Sequence, residues 1–233
     1  MKTYAFYKTT SFSDYFESDF QTQLITAGDK RKEPITIKYT DSKKGSYDIF
    51  SVYYEEKVDR EGYYYDVSEG PREFSYYFVK NKFDALYEKS RNIVFFETSY
   101  KITDKMLKDI SAFPNSKKPN KRNNKIQVEK FEIDLKKVIE KNKHIIGAWF
   151  SDIADDPHLK STNVNGNEVN ESRAFVMFEN SGKLKSLNVV LNINGSSYVC
   201  IISKNGSFSV LSKIPDTSTE ILLLNELYDT ILT

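Results

Sequence analysis

The residues with the clearest chemical potential lie mid-chain, where Lys117, Lys118, Lys121, Arg122 and Lys125 fall within nine positions. From residue 115 to residue 125 the chain carries five cations, no carboxylate and, apart from a proline, no apolar side chain. Cations on an exposed segment neutralise phosphates and release their counterions, a mode of binding that needs no base reading. Asn120, Asn123 and Asn124 add amides able to contact a nucleic-acid backbone or base edges. The run therefore points to DNA or RNA as a partner. The plain alternative is a loop whose charges only keep it solvated.

A second constellation is Asp152, Asp155 and Asp156 with His158, directly after the apolar run that ends at Phe150. Carboxylates clustered at a strand end can bind Mg²⁺ or Mn²⁺, and such a centre is what a phosphodiester-cleaving enzyme needs. The same residues also suit a solvated turn. Asp48 followed by Glu55-Glu56-Lys57 has the residue types of a restriction-type nuclease, but on one strand Asp48 and Glu55 would stand about 23 Å apart, too far to share an ion. The chain has only two histidines, His144 and His158, and a single cysteine. No phosphate-cradling glycine loop, paired Cys-x-x-Cys or His-Glu-x-x-His occurs. Cys200 sits within an apolar run with no local activating group, which suits a buried, inert thiol.

Charge is partitioned along the chain. Residues 101–143 carry 13 Lys and Arg against 6 Asp and Glu, a surplus of seven, and the rest carries 21 against 27. A basic centre between acidic flanks agrees with a polyanion partner. Aromatic residues make up 14% of the chain, enough to exclude a disordered polymer and to favour strands. No apolar run reaches the ~20 residues of a membrane span, and no signal-peptide core opens the sequence. With one cysteine, the expectation is a cytoplasmic protein without a membrane partner.

Elements that would position these groups can be read from periodicity and turn chemistry. A strand is expected over 3–8 and a helix over 13–27. Strands are expected over 34–39, 49–54, 63–65 and 74–79, with turns at 43–46 and 69–71. Phe83, Leu86 and Tyr87 suggest a helix over 81–90 before a buried strand at 93–96. Thr103 reads as the cap of a helix ending at Phe113, and Asp134 as the cap of another leading into a strand at 145–150. The two helix-then-strand units, 86–96 and 138–150, suggest an internal duplication or a chance recurrence. The polar stretch after Asp152 reads as a linker. Strands over 174–178, 187–193, 198–203 and 208–211 then form a meander, two of whose turns are Asn-Gly. A helix over 216–232 closes it, with Ile221, Leu222, Leu224, Leu227, Tyr228 and Ile231 on its apolar face.

The expected class is α+β, with antiparallel sheets, helices packed on one face, and a C-terminal meander closed by the terminal helix. The expected organisation is an N-terminal β-rich region at 1–151 and a C-terminal meander at 171–233, with the alternative of one continuous domain. The layout from Ile93-Val94-Phe95-Phe96-Glu97 through Ile126-Gln127-Val128-Glu129-Lys130-Phe131 to the helix and strand ending at Phe150 resembles that of small prophage-encoded exclusion and defence proteins of the RexA and KwaB type. That resemblance implies DNA association and a role in antiviral defence, and it carries over no catalytic residue.

The function expected from the residues is non-enzymatic nucleic-acid binding through Lys117, Lys118, Lys121, Arg122 and Lys125, with surface tyrosines stacking on exposed bases. No cofactor is expected on this reading. One alternative is a metal-dependent nuclease holding Mg²⁺ or Mn²⁺ at Asp152, Asp155 and Asp156. Another is a module that binds a protein partner or a second copy through exposed tyrosines.

Overall fold

The structure is a computed structural model whose described residues are 1–9, 12, 20–21, 35–112, 128–142, 144–155 and 158–232. Its organising element is β1 (Lys2–Thr9), in which Tyr4, Ala5, Phe6 and Tyr7 are all buried. Successive strand residues point to opposite faces, so four buried neighbours mean that both faces are covered. Along one edge β1 pairs with β6 (Ile93–Phe96). Along the other it pairs first with β12 (Ser207–Val210) and then with β7 (Val128–Lys130).

The sheet spreads from this centre in both directions and is antiparallel throughout. Towards one edge run β6, β5 (Gly70–Glu88), β4 (Tyr47–Asp66), β3 (Ile35–Lys44) and β2 (Phe20–Gln21). Towards the other run β12, β11 (Ser196–Ser203), β10 (Lys183–Ile193), β8 (Ile145–Ser151) and β9 (Ser161–Asn165). The N-terminal strands and the C-terminal meander thus belong to one twelve-stranded sheet joined through β1. The β10–β11 hairpin has the two-residue Asn194-Gly195 loop, with φ of 50° and 77°. Positive φ at both centres is the type I′ geometry that an Asn-Gly pair adopts.

Two cores lie on opposite faces. One gathers Phe6, Phe95, Phe150, Phe208 and Leu187 beneath three helices: α2 (Leu135–Lys141), α3 (Arg173–Ser181) and α4 (Thr217–Leu232). Leu223, Leu224 and Leu227 of α4 are fully buried there, each stabilising by about 1.5–3 kcal/mol relative to an exposed side chain. The other core gathers Tyr7, Phe12, Phe50, Val52 and Phe96 beneath α1 (Tyr100–Ala112), which contributes Met106, Leu107 and Ile110. The fold is mixed, with four helices among the described residues and strand predominating. Helices cover both faces rather than one, because β1 and its neighbours are apolar on both sides.

Several elements differ from the sequence expectation. Residues 81–88 continue β5 as a strand. Phe83, Ala85 and Tyr87 enter one core and Leu86 the other, and this two-sided burial removes the alternation that would have marked a strand. With no helix there, the proposed duplication disappears. Residues 174–178 are helical within α3: Ser172 caps it by accepting from the Phe175 amide at 3.1 Å, and Phe175 and Phe178 pack on Phe150. The expected linker contains β9, an edge strand whose single apolar residue, Val164, packs on the core. Thr103 lies inside α1, where its hydroxyl donates to the Ser99 carbonyl, and the hydroxyl of Ser99 receives the Ile102 amide at 3.4 Å. Of the helix expected over 13–27, Phe20 and Gln21 form β2 and the remainder lies outside the described residues.

Candidate nucleic-acid interface

Lys117, Lys118, Lys121, Arg122 and Lys125 lie outside the described residues. The described chain resumes three residues after Lys125, at Val128 in β7, which pairs with the end of β1. From this point a cationic surface can be built residue by residue. Lys130 ends β7, Lys185 and Ser186 lie near the start of β10, and Ser203 ends β11 before the turn at Lys204 and Asn205. Together with Glu132 they line a cleft of about 400 Å³.

Backbone hydrogen bonds fix its walls. The Lys204 amide donates to the Lys185 carbonyl at 2.8 Å, and the Ile133 amide donates to the Lys204 carbonyl at 2.9 Å. The Phe6 amide donates to the Gly206 carbonyl at 2.8 Å. Gly206 has φ of +82°, and a Cβ there would stand 2.3 Å from the Phe131 carbonyl oxygen. The turn that carries Lys204 is therefore clamped beneath the 131–133 segment, and only glycine fits the clamp.

Three lysines against one carboxylate make this cleft electropositive. Among the described residues, Lys130 and Lys204 have no carboxylate within ion-pair distance; Lys130 instead lies 4.5 Å above the ring of Tyr100. A neighbouring cleft of about 500 Å³ shares Glu132 and Lys204 and adds Lys136 and Lys183. Its charges are more nearly balanced, since Asp134 and Glu179 also line it and Lys136 pairs with Glu179 at 3.9 Å.

Asp152 serves as a counter-charge to this surface. Its carboxylate stands 3.3 Å from Lys183 and 3.8 Å from Lys185, and the hydrogen bond and charge of Lys183 hold it below the usual carboxylate range. Asp155 is exposed, and Asp156 lies outside the described residues. Among the described residues, no group of three or more His, Cys, Asp or Glu could hold a metal ion. The nuclease-like residues are likewise engaged elsewhere: Asp48 pairs with Lys43 at 3.2 Å, Glu55 accepts from the Tyr53 hydroxyl, and Lys57 pairs with Asp59 at 2.6 Å. Cys200 is fully buried, and desolvation pushes its thiol up to about 12.

The exposed tyrosines are placed apart from the cationic cleft. Beyond Tyr54 and Asn81, β4 and β5 pair, among the described strands, only with each other, and this hairpin bears Tyr63 and Tyr65, both about three-quarters exposed at 74% and 75%. Residues 55–80 carry seven carboxylates and four cations. That negative surplus repels phosphate, so this arm is a poor stacking platform for nucleic acid.

Sequence reading also missed a partly buried ionic cluster that ties four parts of the chain together. Glu220 of α4 accepts from the Tyr4 hydroxyl at 2.5 Å and from Lys2 at 2.8 Å. Lys44 stands 3.2 Å from Glu97 and 3.9 Å from Glu220, and Lys2 is 3.6 Å from Glu97. Burial opposes ionisation of Glu220, yet the hydrogen bonds from Lys2 and Tyr4 and the nearby lysine charges hold its carboxyl below the usual range. For Glu97, burial prevails over Lys44 and Lys2 and raises the carboxyl. With these groups paired among themselves, the cluster is a clasp between β1, β3, the end of β6 and α4. Its members lie at 2, 4, 44, 97 and 220, a spacing without local signature.

No family model matches the chain, and no curated protein matches it. No described helix is long and apolar enough to cross a membrane.

Proposed function

We propose that this protein binds nucleic acid through its phosphates, using the cleft of Lys130, Lys185 and Lys204 together with the cations at 117–125. The observation that carries this reading is the convergence of three lysines from β7, β10 and the β11–β12 turn on one cleft with a single carboxylate, Glu132. Ser186, Ser203 and Asn205 supply neutral donors beside the lysines, the usual complement for phosphate oxygens. The basic run ends at Lys125, three residues before β7 begins at Val128, so the two sets of cations are neighbours along the chain. The test is fluorescence anisotropy with labelled single-stranded and duplex oligonucleotides. Variants in which Lys130, Lys185 and Lys204, or the five loop cations, become Gln are expected to bind more weakly. Unchanged affinity in both variants would overturn the assignment. Resemblance to exclusion and defence proteins extends the proposal to phage resistance, tested by plaque counts on cells with and without the protein.

The hairpin arm favours a second reading, in which it docks on another copy of the chain. Its exposed tyrosines offer large apolar area on an acidic ribbon, and the rest of the chain is correspondingly basic. Sedimentation equilibrium tests it: a dimer that dissociates when Tyr63 and Tyr65 become Ser supports the reading, and a monomer excludes it.

A further inference from the structure

The chain has a single tryptophan, Trp149, and half of its surface is exposed. Its placement follows from strand periodicity. Ala148 and Phe150 of β8 point into the core beneath α3, where Phe150 meets Phe175 at 5.3 Å between ring centroids. Trp149 must then stand on the opposite face. The helices α2, α3 and α4 contribute to the first core, and α1 packs with the strands around β1 and β6, so no described helix contributes a core over the second face of β8, β10 and β11. Among the described residues no aromatic ring packs on the indole. A large apolar ring left open on a sheet face calls for an explanation, because burying an aromatic side chain is worth several kilocalories to a fold.

The neighbours of Trp149 point to one. Its cross-strand partners are Asn163 on β9 and Ser186 on β10. Two residues back on the same face, Gly147 faces Asn165 and Asn188. A Cβ at Gly147 would stand 2.7 Å from the Asn188 side-chain nitrogen and 2.9 Å from the Asn165 side-chain oxygen. Only the lack of a side chain lets these amides close over the strand beside the indole. Asn amides can both donate to and accept from base edges. Ser186 makes the connection to the lysines: it is the partner of Trp149 on β8 and of Ser203 on β11, and both serines line the cationic cleft. At ~4.8 Å between strands, the indole stands one strand from Ser186 and about 10 Å from Ser203.

We infer that Trp149 is a stacking platform for an unpaired base, so that this face binds single-stranded nucleic acid, with its phosphates in the cleft of Lys130, Lys185 and Lys204. This rests on the nucleic-acid reading above and narrows its ligand. A base inside a duplex has both faces occupied by its neighbours, whereas a single strand offers a free π-face to the indole and free edges to Asn163, Asn165 and Asn188.

Because Trp149 is the sole tryptophan, its emission reports directly on stacking. The protein is titrated with a single-stranded DNA oligonucleotide, with the same sequence as duplex, and with inorganic polyphosphate. Emission is followed directly, and binding by anisotropy of labelled oligonucleotide or by competition with polyphosphate. The single strand is expected to quench Trp149, whereas polyphosphate binds without quenching. Trp149→Ser, with its fold checked by circular dichroism and melting temperature, is expected to bind the single strand about 5- to 150-fold more weakly. Polyphosphate affinity should stay the same, and Trp149→Phe should recover most of the single-strand affinity. If oligonucleotides bind but emission is unchanged and Trp149→Ser binds like wild type, the stacking assignment is overturned and phosphate binding stands. If neither oligonucleotide nor polyphosphate binds, both assignments fall together.

Discussion

Neutralising the cleft should change how binding responds to salt by an amount that follows from the number of cations. For single strands, log affinity falls with log salt by about 0.7 for each phosphate neutralised. Lys130, Lys185 and Lys204 line the cleft, so together they account for a slope of about −2. If the five cations at 117–125 also engage, the full slope is about −5.6, and raising salt from 50 to 200 mM weakens binding about 2,000-fold. The Lys130→Gln, Lys185→Gln, Lys204→Gln triple variant should retain a slope of about −3.5 and lose only about 130-fold over that range. Lys185 shares its charge with Asp152 at 3.8 Å, so three phosphates is the upper bound for the cleft. The assay is anisotropy of a labelled oligonucleotide at four or five salt concentrations. A wild-type slope near zero, or a variant slope equal to that of wild type, would refute the role of these lysines.

Asp152→Asn should free Lys183 and Lys185 and raise oligonucleotide affinity by up to about fivefold, the scale of an exposed ion pair, whereas a metal-dependent nuclease centred there would lose activity. Glu220→Gln should cost about 2–3 kcal/mol in urea unfolding at pH 7, since it removes charge-assisted hydrogen bonds from Tyr4 and Lys2. Because the folded-state carboxyl of Glu220 is depressed, its stabilisation is complete above the unfolded pKa of about 4.3 and fades as pH falls through the folded value. The gap between wild type and variant should therefore close in acid. Glu97 has the opposite sign: its raised carboxyl favours the folded state at low pH and loses that contribution as pH rises. Gly206→Ala should lower stability by about 2–4 kcal/mol, measured by thermal or urea unfolding, because the new methyl group meets the Phe131 carbonyl at a positive φ; a cost below about 0.5 kcal/mol would show that the clamp yields.

Sequence alone determined what is encoded within a few residues. The Asn194-Gly195 turn, the Asp134 cap and the existence of α4 were legible because turns, caps and helical periodicity are local properties of the chain, although the buried face of α4 takes Leu223 and leaves Leu222, which the sequence had placed on it, exposed. The surplus of charge at 101–143 was legible for the same reason. Tertiary structure decided whatever depends on which faces are buried. Residues 81–88 looked helical because a strand buried on both sides shows no alternation, and 174–178 looked like a strand because its five consecutive apolar residues outweighed the cap at Ser172. Trp149 sat within a continuous apolar run whose sequence does not say which face is covered, and only the packing of Phe150 under α3 fixed the indole on the other face. The cleft could not be anticipated at all, because Lys130, Lys185 and Lys204 are far apart in sequence and meet only where β1 joins β7 and β12 side by side. A sequence specifies local conformation through its own backbone and neighbours, but the juxtaposition of distant charges exists only once a long-range sheet has closed.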